Sequence, residues 1–96
     1  MFDLSLARAY GKAGYGLGGI LLKQSLYPRE VLVNALEGAK LVLDFGCGEG
    51  LLTNLLARAL PQTRFVGVDL DTWKISAALA CRTQATSEFH AGATTF

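Results

Sequence analysis

Seven consecutive residues, Asp44-Phe45-Gly46-Cys47-Gly48-Glu49-Gly50, combine the types and spacing best suited to chemistry in this chain. Glycines let a backbone turn sharply and let a ligand approach where a Cβ would otherwise stand. N–H groups left free at the start of a helix bind polar ligand atoms. An anionic Asp44 beside such a turn suits a ligand carrying positive charge. It suits a pyrophosphate poorly, because like charges would meet. Asp69 follows 23 positions after Gly46 (69 − 46). An acid about 20 residues beyond a glycine-rich turn is placed to accept hydrogen bonds from ribose hydroxyls.

Other reactive residue types are sparse. His90 is the only histidine. It has the side chain best suited to proton transfer near neutral pH, but no acid or nucleophile pairs with it in the sequence. It reads as a partly exposed strand residue rather than a general base. Cys47 lies in the glycine turn, where a helix N-terminus lowers a thiol's pKa. The simpler reading is a small residue tolerated in a tight turn. Cys47 and Cys81 have neither the spacing of metal ligands nor the density of a disulfide scaffold. No metal site is expected, and both thiols read as reduced. No basic leader precedes an apolar core at the N-terminus, so no signal peptide is read there. Together these features make a cytoplasmic location the expectation.

The turn needs elements to hold it. Leu41-Val42-Leu43-Asp44-Phe45 is a short apolar run ending in glycine, the pattern of a buried parallel strand. Leu51, Leu52, Leu55, Leu56, Ala59 and Leu60 mark one face of a helix that Pro61 ends. Phe65 to Asp69 forms a second strand, and Asp71 is an N-cap for a helix through Ile75, Ala78 and Leu79. Ser87 to Ala91 is a weaker third strand. The order β-α-β-α-β is half of a doubly wound sheet. The fold class is therefore α/β, a Rossmann-like partial parallel sheet of about three strands with flanking helices.

A leader over residues 1–39 precedes this unit of residues 40–96. Leu4, Leu6, Ala7 and Ala9 begin a short helix. The run from Tyr10 to Gly19, dense in glycine, is expected to break regular structure. Two readings of it stand: a flexible surface loop, or a lid that carries Tyr10 and Tyr15 on mobile glycines. Pro28 then starts a helix with Val31, Leu32, Ala35 and Leu36 on one side, and Gly38 ends it. Arg8, Lys12, Lys23 and Arg29 are spread along the leader and read as solvated.

Composition narrows the partners. The chain of 96 residues is 51% hydrophobic and 18% charged. Soluble domains carry roughly 25% charge, so more of this surface is expected to be covered. A partner subunit, further chain or a membrane surface would supply the cover. The net charge of +1, with no basic run, argues against a dedicated nucleic-acid binder and favours a small-molecule or neutral partner. The apolar stretch from Ala13 to Leu22 is too short for the roughly 20 residues of a transmembrane helix.

Val42-Leu43-Asp44-Phe45-Gly46-Cys47-Gly48-Glu49-Gly50 resembles the first motif of class I S-adenosylmethionine-dependent methyltransferases. Phe65-Val66-Gly67-Val68-Asp69-Leu70-Asp71 is similar to the segment that follows it in that family. The resemblance implies S-adenosylmethionine as cofactor and methyl transfer to an unidentified small-molecule or other acceptor. It implies that Gly46, Cys47 and Gly48 pass beneath the cofactor's amino-acid portion while Asp44 holds the ammonium group. Gly50 would permit close packing at the helix start. Asp69 would accept hydrogen bonds from the ribose hydroxyls, and Leu70 would pack beside the adenine. Trp73 stays open between flanking the adenine and packing against the sheet edge. The family places an acid after a glycine at the third strand's end, where this chain has Ala93.

Full-length members usually have seven strands, so the expectation is a truncated form. Two alternatives follow: a cofactor-binding module without catalysis, or a half-domain that pairs with itself or a partner through an exposed sheet edge. A dinucleotide-binding fragment is the remaining rival. Its glycines run G-x-G-x-x-G, whereas here they run Gly46-x-Gly48-x-Gly50, with Glu49 set to repel a pyrophosphate.

Overall fold

Three apolar runs become strands: β1 (Leu41–Phe45), β2 (Arg64–Asp69) and β3 (Glu88–Ala91). The computed structural model describes residues 2–92. The strands are parallel in the order β1-β2-β3, with Val42 opposite Phe65 and Gly67 opposite Phe89. Parallel neighbours need a crossover element. Here these are α4 (Leu51–Ala59) between β1 and β2, and α5 (Thr72–Ala80) between β2 and β3. The Asp71 side chain caps α5 by accepting from the N–H groups of Trp73 and Lys74.

Side chains alternate across a sheet, so Val42, Phe65, Gly67 and Phe89 share one face. Leu56 and Ala57 of α4 pack on Phe65 and Val42, and Ile75 and Ala78 of α5 pack on Phe89. On the opposite face Leu41 and Leu43 are about half exposed.

The leader forms three helices: α1 (Leu4–Lys12), α2 (Leu17–Leu26) and α3 (Arg29–Leu36). The expected glycine break is thus confined to residues 13–16. Gly11 lies inside α1, and Gly18 and Gly19 lie inside α2. A helical glycine costs about 1 kcal/mol. Burying a large apolar side chain returns about 1.5–3 kcal/mol, and Leu6, Tyr10 and Ile20 are all at least 98% buried. They cover Leu51, Leu55, Ala77 and Cys81 on the outer side of α4 and α5, as a third layer. Leu52 and Leu56 of α4 turn instead toward α3 and the sheet. This double duty explains why α4 is apolar around most of its girth.

Polar contacts fix the start of the leader. Asp3 caps α1 by accepting from the Leu6 N–H, and its backbone exchanges two hydrogen bonds with the Gln24 side chain. Arg58 of α4 donates to both Asp3 carboxylate oxygens. Tyr10 is fully buried in α1, which overturns its reading as a mobile lid residue. Its hydroxyl donates to the Glu49 carbonyl at 2.5 Å and accepts from the Asn54 amide at 3.1 Å. Pro28 stands at the N-cap of α3, and Gly38 follows that helix with φ +86°. Among the described residues no helix is long and apolar enough to cross a membrane.

Candidate functional site

The carboxyl ends of β1 and β2 meet at the glycine turn. Gly46, Gly48 and Gly50 adopt φ of 76°, 60° and 74°, the left-handed region that favours glycine. The turn folds back onto the end of β2. The N–H groups of Gly46 and Cys47 donate to the Val68 carbonyl at 2.7 and 3.0 Å, and that of Gly50 donates to the Cys47 carbonyl. The Gly48 N–H donates to Asp69 Oδ2 at 2.8 Å. The expectation of free N–H groups along the turn is corrected at these four positions. The neighbouring strand end supplies acceptors for three of them and the turn itself for the fourth, so an anion such as a pyrophosphate finds these donors already engaged.

The glycines divide by what surrounds them. A Cβ at Gly46 or Gly48 would meet nothing within 4 Å, so that side of the turn is open. A Cβ at Gly50 would stand 2.7 Å from Ala78 Cβ and 2.8 Å from Phe89 Cε1. Gly50 therefore lets α4 begin against α5 and β3. Gly67, absent from the sequence-based site, plays the same part within β2: a Cβ there would reach Phe89 and the Cys47 sulfur, both under 3.0 Å. A glycine inside an apolar strand was the available signal, since it marks a close approach.

Two acids frame the open side. Asp44 Oδ2 accepts from the hydroxyl of Thr53, a buried residue of α4, at 2.6 Å. Asp69 Oδ2 accepts from the Gly48 N–H, and Oδ1 accepts from the Asp71 N–H at 2.8 Å. These bonds, Asp71's first, hold its carboxyl below the ordinary value of 3.8. Asp69 is thus a strut of the turn as well as an acceptor, and each oxygen retains a lone pair for a ligand.

Leu70 is 75% exposed beside Asp69. Trp73 is 85% exposed, which removes the reading of it as sheet-edge packing. It borders a hollow of about 540 Å3 with Gly14, Tyr15 and Ala77.

Cys47 is half-buried, and its thiol donates to the Gly48 carbonyl at 3.6 Å. Burial, followed by the nearby charges of Asp44 and Asp69, pushes its pKa up to about 12. The thiol is protonated at neutral pH and is a poor nucleophile. His90 pairs with Val68 in the register, which puts it on the opposite sheet face from Asp44 and Asp69. It lies 3.4 Å from Glu88. Ala93, where the family pattern has an acid, lies outside the described residues.

Glu49 and Lys23 require a second correction. Glu49 is 8% exposed, and its Oε1 pairs with Lys23 Nζ of α2 at 2.6 Å. Lys23 is therefore not simply solvated. The Glu49 charge has a local partner, so repulsion of a pyrophosphate rests more on Asp44 and on the engaged turn N–H groups. A separate hollow of about 810 Å3, bordered by Phe2, Tyr27, Arg29 and Asn34 of the leader and by Ala59 of α4, contains no residue of the turn.

Comparison with curated proteins finds no match. Among solved structures, YjhP from E. coli is similar at 20% identity and a TM-score of 0.51, over 65% of this chain. The chain spans 28% of the YjhP length. At that identity the likeness concerns the fold, and it agrees with a partial Rossmann-like sheet. A family model described as a methyltransferase domain matches residues 42–94, from within β1 through the glycine turn, Asp69 and β3. That match covers more than half of the 96 residues, and the chain belongs to the methyltransferase domain family.

Proposed function

We propose that this chain binds S-adenosylmethionine across the carboxyl ends of β1 and β2 and serves methyl transfer to a small-molecule acceptor. The observation that carries the reading is the pairing of Asp44 and Asp69 on either side of a glycine turn left open above Gly46 and Gly48. The residues fit the cofactor. Asp44, oriented by Thr53, would take the ammonium group. Gly46, Cys47 and Gly48 would lie beneath the amino-acid chain. Asp69 would receive the ribose hydroxyls, with Leu70 and Trp73 beside the adenine. Gly50 acts indirectly, by fixing the start of α4.

When bound, the cofactor supplies a methyl group activated on a sulfonium. The chain's own contribution is orientation, which is the main requirement of an in-line transfer between two held partners. No described residue is assigned as a base: Cys47 stays protonated, and His90 faces away. The two free thiols suit a reducing compartment, and we place the protein in the cytoplasm.

Calorimetric titration of the wild-type chain with S-adenosylmethionine, S-adenosylhomocysteine and NAD tests the reading. Saturable binding of the first two at one site per chain, without binding of NAD, is the expected result. Binding of NAD alone would transfer the site to the dinucleotide class.

A further inference from the structure

We propose that Lys23, carried by α2 in the leader, recognises the carboxylate at the amino-acid end of the cofactor, an assignment that rests on the cofactor reading above. That end of the ligand is a zwitterion. Asp44, oriented by Thr53, serves the ammonium, while the Glu49 charge is taken up by Lys23. The carboxylate needs donors, and the N–H groups of Gly46, Cys47, Gly48 and Gly50 are already engaged. Of the cations around the turn, Lys74 acts on Asp69, at the ribose end. Lys23 stands at Glu49, within the turn itself.

The 2.6 Å ion pair places Lys23 beside the turn. Glu49 directly follows Gly48, whose N–H is bonded to Asp69 at the end of β2, so the pair stands beside that strand end. The Glu49 backbone is held by Tyr10, so the acid is a fixed post. An ammonium has three donors, and the Glu49 bond uses one. The Lys23 side chain is 49% exposed, against 10% for Glu49. Its free donors can thus meet a carboxylate without breaking the Glu49 bond. Glu49 also holds Lys23 in its charged form, raising its pKa above the ordinary lysine value.

The test compares S-adenosylhomocysteine with the analogue whose carboxylate is replaced by hydrogen, by calorimetry on wild type, Lys23→Met and Lys23→Arg. A charge-assisted hydrogen bond lost at a partly exposed site corresponds to an affinity loss of about tenfold. Lys23→Met is expected to weaken S-adenosylhomocysteine by that factor and to leave the analogue within about twofold. Lys23→Arg should retain most of the affinity. Equal weakening of both ligands, or weakening of neither, overturns the assignment while leaving the cofactor reading intact. A wild type that binds neither ligand overturns both. The side-chain nitrogen resonance of Lys23 in the wild type gives a readout that needs no variant. It should shift with S-adenosylhomocysteine and not with the analogue, and an unchanged resonance in both titrations contradicts the proposal.

Discussion

Gly50→Ala is expected to leave much of the protein unfolded, with a loss of about 2–6 kcal/mol. Two costs combine. A non-glycine residue held at a φ of 74° carries backbone strain of about 1–3 kcal/mol. The new methyl would also stand 2.7 Å from Ala78 Cβ and 2.8 Å from Phe89 Cε1. Overpacking of that kind typically costs about 1–3 kcal/mol. Neither neighbour can withdraw easily, since Ala78 is fully buried in α5 and Phe89 is buried in the core of β3. A domain of this size has a total stability near 5–15 kcal/mol, so the loss is a large share of it. Gly48→Ala is the control. It has φ of 60° but open space around the position, so it pays the strain alone. Urea unfolding followed by circular dichroism should rank the two variants in that order. Equal losses would show that the packing of α4 against α5 and β3 is not what selects glycine at position 50.

The second large effect concerns binding. Asp69→Ala is expected to weaken S-adenosylhomocysteine about 100-fold, measured by calorimetry. Hydrogen bonds to a charged group are the stronger kind, and Asp69 can receive two ribose hydroxyls. Full additivity would give more, but the site is open to solvent and the loss is moderated accordingly. Part of the loss is indirect, because the Gly48 and Asp71 N–H groups lose their acceptor. Asp69→Asn, which keeps one acceptor oxygen and loses the charge, should fall between wild type and Asp69→Ala.

The pH dependence follows from the direction of the Asp69 shift. The folded-state pKa is depressed below 3.8 by the Asp71 and Gly48 N–H groups. The carboxylate's contribution to stability is therefore present above the unfolded-state value and is lost as pH falls through the folded-state value. Ligand affinity should be flat between about pH 8 and pH 5, a window above the ordinary aspartate range. A fall within that window would point to a group other than Asp69.

The strand–turn–helix–strand segment is legible in the sequence because its signals are local. Apolar runs, glycine punctuation and the Asp71 cap all act within a few residues, and the strands begin and end within a residue of where those signals put them. The leader is less legible. Its glycines argue locally against helix, while the burial of Leu6, Tyr10 and Ile20 against α4 and α5 decides otherwise. Candidate ligand contacts such as Asp44 and Asp69 stand out by type and spacing. Their hydrogen bonds do not, since Asp69 finds the Gly48 N–H across 21 positions. The Lys23–Glu49 pair spans 26 positions and unites a helix of the leader with the turn. Nothing local links the two residues, so Lys23 reads as one more surface charge until the fold brings it to Glu49.

The most direct test of a cofactor site at the carboxyl ends of β1 and β2 is a titration of the nitrogen-15-labelled chain with S-adenosylhomocysteine, followed by amide resonances. The largest shifts are expected at residues 44–50 and 69–71, with the Phe2, Arg29 and Asn34 amides of the leader hollow nearly unmoved. Shifts concentrated at that hollow, or no shifts at saturating ligand, would contradict the site.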